Sequence, residues 1–218
     1  MKNSEVLSRC ALFAGIREDE RSAMLDCLGA REAATVRGGY VFREGDRAEW
    51  VGIVLSGQVQ VVREDFYGNR SIMTEVSPAG LFGEVFACAD VERYPVSVEV
   101  VQEGAVLLLS MARILRVCTG GCAFHNRLVS NLLRIVAGKN LQLNQKIEIT
   151  SQRTTRDKLM TYLATAAKKA GSRTFEIPFN RQGLADYLGV ERSALSAEIG
   201  RLRREGILQS ERSVFTLL

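Results

Sequence analysis

Arg192, Ser193, Ser196 and Arg201 crowd one short stretch near the C-terminus, with Arg181 and Gln182 a little upstream. A guanidinium carries a planar fork of N–H donors that matches either a guanine edge or a phosphate, and hydroxyls both donate and accept. The surrounding residues show how such groups could be presented. Asn180 can cap a helix whose apolar positions are Leu184, Ala185 and Leu188. Gly189 suits a sharp turn, and Val190 can plug the angle between two helices. Leu195, Ile199 and Leu202 then form the inward face of a second helix, which leaves Arg192, Ser193, Ser196 and Ala197 outward at its N-terminal end. That is the end of a recognition helix that enters a major groove. A plain helical hairpin that binds nothing is the competing reading. The small residues Ala185, Gly189 and Ala194, the basic surroundings and a β-hairpin that follows all weigh against it.

The charge distribution agrees. Residues 151–218 hold 12 Lys and Arg against 7 Asp and Glu, whereas residues 1–150 hold 17 against 18. Positive charge is confined to the last third, as expected of a nucleic-acid module joined to a neutral partner domain. The 218 residues, 46% hydrophobic and 25% charged, have the composition of a globular protein. There is no apolar run long enough for a membrane span, and the start, MKNSEVLSRC, lacks the apolar stretch of a signal peptide. A cytoplasmic protein without membrane partners is expected. Cys10, Cys27, Cys88, Cys118 and Cys122 then read as reduced thiols. Cys118 and Cys122 suit either a thiol switch or buried structural cysteines. His125, the single histidine, is open to haem ligation or to packing. A jelly-roll metalloenzyme needs two or three histidines inside its barrel, and residues 1–124 contain none, so enzymatic function is not expected.

The elements that must position these groups follow from periodicity. The first thirty residues read as short helices, with Glu18, Asp19 and Glu20 in a first turn and Met24, Leu25 and Leu28 on an apolar face. Residues 35–110 switch to short β runs punctuated by Gly39, Gly45, Gly57, Gly68 and Gly80, the pattern of a sandwich or barrel. Ser56-Gly57 and Tyr67-Gly68-Asn69 are the expected hairpin turns. A long helix over residues 122–149 carries Val129, Leu133, Val136, Asn140, Leu143 and Ile147 at heptad spacing. This seam pairs two chains or, alternatively, packs one amphipathic helix on its own domain. Asn140 on it would fix register. Helices are then expected over 156–170, from Asn180 to Gly189 and over 192–205. Ile207-Leu208-Gln209 and Val214-Phe215-Thr216 form a wing. The expected domains are residues 1–121, 122–150 and 151–218.

In order and spacing these pieces resemble the CRP/FNR family, named for the cyclic AMP receptor protein and the fumarate-nitrate reduction regulator. The resemblance rests on Leu55-Ser56-Gly57-Gln58-Val59-Gln60-Val61, on Gly80-Leu81-Phe82-Gly83-Glu84-Val85, on Arg181-Gln182 with Leu188-Gly189-Val190 and Arg192, and on Arg203-Arg204-Glu205-Gly206-Ile207-Leu208. It implies an α+β protein: an N-terminal double-stranded β-helix (jelly-roll, cyclic-nucleotide-binding-like) sensor, a dimerisation helix and a C-terminal winged helix-turn-helix. It further implies a transcription regulator that binds a palindromic operator in double-stranded DNA as a homodimer, with RNA polymerase and a small-molecule effector as partners. Arg181 and Gln182 match positions that touch the DNA backbone, and Arg192 matches an arginine that reads DNA. Ser193 and Ala197 stand where both named relatives have a glutamate and an arginine, so a different target sequence is expected.

The sensor half departs from the family as well. Members that bind cyclic nucleotides follow Gly-Glu with an Arg-Ser or Arg-Thr pair that clamps the phosphate. Here Gly83, Glu84 and Val85 are followed by Arg93 and Tyr94-Pro95, with the arginine one residue early. In an alternating segment that shift turns Arg93 out of the pocket, so cyclic AMP is not the expected effector. Glu84 is either a ligand group or a carboxylate that satisfies a turn. A ligand- or redox-responsive regulator is expected, with haem-dependent gas or NO sensing through His125, or a cyclic-nucleotide-binding module acting on another protein, as alternatives. The residues by themselves name no cofactor.

Overall fold

The computed structural model describes residues 3–68, 70–116 and 123–218. Asn69, Cys118 and Cys122 lie outside the described residues. Two compact units result, Met1–Gly138 and Lys139–Leu218, and the division falls inside the long helix.

The first unit opens with α1 (Ser4–Arg9), a 3-10 turn (Ala11–Phe13) and α2 (Glu18–Cys27). Glu20 reaches back to the backbone N–H of Arg17 at 3.0 Å and closes the start of α2. Six strands follow: β1 (Arg31–Thr35), β2 (Tyr40–Phe42), β3 (Trp50–Glu64), β4 (Arg70–Val76), β5 (Leu81–Phe82) and β6 (Ser97–Ser110), with a short α3 (Glu84–Cys88) after β5. All pair antiparallel in the order β1-β6-β3-β4, with β2 also on β6 and β5 on β3. Alternation along the two long strands builds two cores. Val54, Val59 and Val61 of β3 meet Val98, Val100 and Val106 of β6 together with Phe42, Phe82 and Tyr94 inside the barrel. On the other face Val51, Ile53, Leu55, Leu107 and Leu109 pack against Leu7, Leu12, Phe13, Met24 and Leu28 of the N-terminal helices.

The expected turn at Ser56-Gly57 is not a turn. It lies within β3, where the register against β6 shifts between Val54 and Ser56 and again before Gln58. Gly57 has φ +77°, and a Cβ there would fall 2.5 Å from the carbonyl oxygens of Gln102 and Glu103. Across the ladder a Cβ on Gly104 would fall 2.1 Å from the Ser56 carbonyl oxygen. Two glycines thus let two long strands bend together as a bulge. The reversal at Gly68 (φ +80°) does join β3 to β4.

After α4 (Met111–Leu115) comes α5 (Ala123–Thr150). Leu128 and Leu132 are buried in the outer core of the first unit. Asn131 donates to the carbonyls of Leu12 (3.0 Å) and Ala14 (2.9 Å), and Arg127 donates to that of Gly15 (2.5 Å). Leu133, Leu141, Leu143 and Ile147 are exposed.

The second unit contains α6 (Thr155–Ala170), β7 (Thr174–Glu176), α7 (Arg181–Leu188), α8 (Arg192–Arg204), β8 (Leu208–Glu211) and β9 (Val214–Leu217). Thr154 caps α6 by accepting from the Asp157 N–H, and Gly171 (φ +62°) ends it. Its three strands run β7-β9-β8. Leu159, Leu163, Leu184, Leu188, Leu195, Leu202 and Phe215 form its core, with Ile149 from the end of α5.

Candidate nucleic-acid interface

The geometry around α7 and α8 starts with two local devices. The Asn180 side chain accepts from the Gly183 N–H at 2.8 Å and fixes the start of α7. Gly189 adopts φ +61°, ψ 51° and ends it, with two helical carbonyls satisfied by its N–H. Three residues later α8 begins. Leu195, Ile199 and Leu202 are buried, and Val190 packs against the same core.

That packing leaves Arg192, Ser193, Ser196 and Ala197 exposed along the first turns of α8. Arg192 makes no hydrogen bond or ion pair with the described residues, so its guanidinium is available to a ligand. Arg201 lies farther along the row that holds Ser193 and Ala197. Its Nη1 sits 3.3 Å from Glu198 Oε2, which draws it back toward the helix body. Gln182 is exposed at the start of α7 and donates to Asp186 at 2.8 Å. Arg181 is half-buried, its guanidinium 5.7 Å from the Phe215 ring centroid. Burial, then the nearby Arg203, hold its pKa below the ordinary arginine value.

Three features of this surface were missed by pattern reading. Glu198 sits among the apolar positions of α8 and is 6% exposed. Its Oε1 accepts no hydrogen bond among the described residues and lies 3.8 Å from Arg156 Nη1. Arg156 of α6 also grips Glu205 through two bonds of 3.2 and 2.6 Å. One arginine on α6 therefore pairs with a carboxylate inside α8 and with one at its C-terminal cap, adding to the apolar packing that holds α8. The signal was Glu198 at a position whose helical neighbours are buried, but its partner lies far along the chain. Arg203, exposed and close enough to Arg181 to lower its pKa, is the second omission. The third is Arg212, exposed at the β8–β9 reversal with φ +51°. It lines one open cavity with Asn180 and Arg181, so the wing tip and the start of α7 offer cations together.

The residues singled out in the sensor differ in burial. Tyr94 is 2% exposed, stacked on Phe42 at 4.6 Å and edge-on to Phe86. Its hydroxyl donates to the Trp50 carbonyl at 2.5 Å and accepts from the Trp50 N–H at 3.3 Å, and burial pushes its pKa up to about 12. Glu84 is buried at the start of α3, which Gly83 (φ +79°) opens. Val85 and Arg93 face solvent, and Arg93 donates to the Gly45 carbonyl at 2.7 Å. Of these five, Glu84 and Tyr94 are interior, Val85 and Arg93 are exposed, and the stacked Phe42 and Tyr94 lie beside Gly83. His125 is 5% exposed and hydrogen-bonds the Ile114 carbonyl at 2.7 Å. A haem iron at that nitrogen would have to displace the bond that ties α5 to α4. Among the described residues no group of three His, Cys, Asp or Glu is placed to hold a metal ion. No helix among them is long and apolar enough to cross a membrane.

Two sequence families match this chain. The Cyclic nucleotide-binding domain matches residues 35–120 and the Crp-like helix-turn-helix domain matches residues 157–218. The chain is 23% identical over 192 residues to the Transcriptional activator protein FnrA of Stutzerimonas stutzeri, covering 86% of this chain and 76% of that one. The solved Catabolite Activator Protein of Thermus thermophilus is 20% identical, with a TM-score of 0.56 over 95% of this chain and 93% of that one. The c-di-GMP responsive global regulator CLP of Xanthomonas campestris is 17% identical, with a TM-score of 0.55 over 90% and 98%. The two structural likenesses establish the fold.

Proposed function

Because the chain belongs to the CRP/FNR family of transcription regulators, we propose that it works as a homodimer on a palindromic operator, under control of a small effector other than cyclic AMP. The observation that carries this is the start of α8: Arg192, Ser193 and Ser196 are exposed side by side, with the arginine unclaimed by the described residues. A helix presenting a free guanidinium and two hydroxyls at its N-terminal end suits base-edge readout in a major groove. Arg181, Gln182 and Arg212 supply backbone contacts beside it, and Arg201 is a secondary one because Glu198 competes for it. Two such helices at half-sites about one DNA turn apart would read a two-fold site. In the cytoplasm, RNA polymerase is the further partner of such a regulator.

The effector reading rests on charge. A cyclic phosphate in the barrel would need a cation or several N–H donors. Tyr94, with its hydroxyl committed to Trp50, and Arg93, bound to Gly45 outside, supply neither. The test is selection of binding sites from a random duplex library with the full chain, followed by anisotropy titration of the recovered sequence. Recovery of an inverted repeat bound far more tightly than random DNA is expected. Equal affinity for random and selected DNA would sink the reading. Calorimetry with cyclic AMP and cyclic GMP should show no micromolar binding.

A further inference from the structure

Between α1, α2 and the outer face of β3 and β6 lies a cavity of about 340 Å³, within the range of small-molecule sites. Leu7, Leu25, Leu55 and Leu107 make its apolar wall, and Arg21 of α2 lines it as well. Arg21 is 5% exposed. A guanidinium has five N–H donors. One of them reaches a described residue, from Nη2 to Ser4 Oγ at 3.0 Å. Ser4 Oγ in turn donates to Glu18 Oε1 at 2.5 Å, so that carboxylate is committed to the serine. Among the described residues no carboxylate forms an ion pair with Arg21. Glu32 stands exposed at the rim, engaged by Asn3 at 3.0 Å.

Burying a cation without a counter-ion is costly, and a leucine or methionine would serve packing better. We propose that this cavity binds a medium-chain aliphatic monocarboxylate, its carboxylate on Arg21 and its chain against the four leucines. The occupant is defined by complementarity: one buried cation, Arg21, beside a wall of four leucines, with Asn3, Ser4, Ser22 and Glu32 completing the polar part of the lining. Such a site is also placed to matter. The segment between α1 and α2 is the one that Asn131 and Arg127 of α5 grip through the carbonyls of Leu12, Ala14 and Gly15. Filling the cavity biases the position of that segment and with it the start of α5.

The assignment rests on the regulatory reading only in calling the ligand an effector; binding itself is measured without DNA. Octanoate and its neutral analogue octanamide are titrated calorimetrically into the full chain, into Arg21→Met and into Leu25→Trp, which fills the cavity. Octanoate is expected to bind the parent saturably, at least about tenfold more tightly than octanamide, the value of a charge-assisted hydrogen bond. Arg21→Met should lose the preference for the acid, and Leu25→Trp should bind neither. No saturable octanoate binding to millimolar concentration, equal affinity for acid and amide, or undiminished binding by Leu25→Trp would each overturn the proposal. If Arg21→Met does not fold, the acid–amide comparison and Leu25→Trp still decide. Operator affinity of the ligand-free chain, measured separately, tests the regulatory reading alone.

Discussion

At the scale of single residues, what matters is which polar groups are committed and which are free. Arg192 is free, so Arg192→Ala should weaken a matched operator by about 1–3 kcal/mol, roughly 5- to 150-fold, and relax preference at one base pair per half-site. Anisotropy titrations on matched, single-mismatch and random duplexes check this. A uniform loss on all three would demote Arg192 to a phosphate contact. The thiols show the opposite case. Burial pushes the Cys10 pKa up to about 11, whereas Cys27 is exposed. Native protein treated with iodoacetamide should therefore be alkylated at Cys27 and spared at Cys10 until it unfolds, as read by peptide mass spectrometry. Rapid labelling of Cys10 would mean that the N-terminal helices open readily. Arg192 was legible in the sequence because its neighbours' apolar spacing left it one face to occupy. The burial of Glu198 was not, because its countercharge on Arg156 comes from another helix, and a helical pattern carries no record of long-range pairs.

At the scale of elements, the same type of residue signals different structures. Gly57 reads as a turn, since a positive φ serves a turn and a bulge equally well. What decides is Gly104 across the ladder, a pairing that local sequence does not display. Gly104→Ala places a methyl against the Ser56 carbonyl and should cost the sensor about 1–3 kcal/mol. Scanning calorimetry should show the transition of the sensor lowered and that of the C-terminal unit unmoved. An unchanged sensor transition would mean that the strands cross there without constraint. The α6–α8 clamp has a pH signature. The hydrogen bond from Arg156, with its charge, holds the Glu205 carboxyl below its ordinary value of 4.5. A carboxyl lowered in the folded state stabilises above its unfolded pKa, and that contribution fades as pH falls through the folded value. The clamp should therefore be intact at neutral pH and weaken below about pH 4.5. Parent and Glu205→Gln should differ in melting temperature at pH 7 and converge in acid; a constant gap would place the effect elsewhere.

At the scale of the whole molecule, the long helix α5 carries two apolar stripes and the single chain uses one. Leu128 and Leu132 are buried against the sensor, while Leu133, Leu141, Leu143 and Ile147 are 54–70% exposed. Of the apolar heptad positions read in the sequence, Leu133, Leu143 and Ile147 are exposed, Val129 is half-buried and Val136 packs against the sensor core. The sequence did not show that Leu128 and Leu132 form a separate buried stripe, since both sets overlap in periodicity. Leu133, Leu143 and Ile147 share one face of this helix at about 100° per residue, whereas Leu141 lies on another, and large apolar side chains exposed along one face are what soluble monomers rarely leave open. In the proposed homodimer a second copy of the same helix would cover this face by symmetry, with Asn140, bonded to Asn144 at 2.8 Å, as the polar register mark. Replacing Leu143 and Ile147 together by aspartate should give a folded monomer in analytical ultracentrifugation at micromolar concentration. Because each half-site then binds alone, preference for the inverted repeat over a single half-site should vanish, while weak, salt-sensitive binding to any duplex persists. A double variant that stays dimeric would move the dimer interface off this seam. A monomeric variant that keeps full operator affinity would break the link between pairing of α5 and recognition by α8.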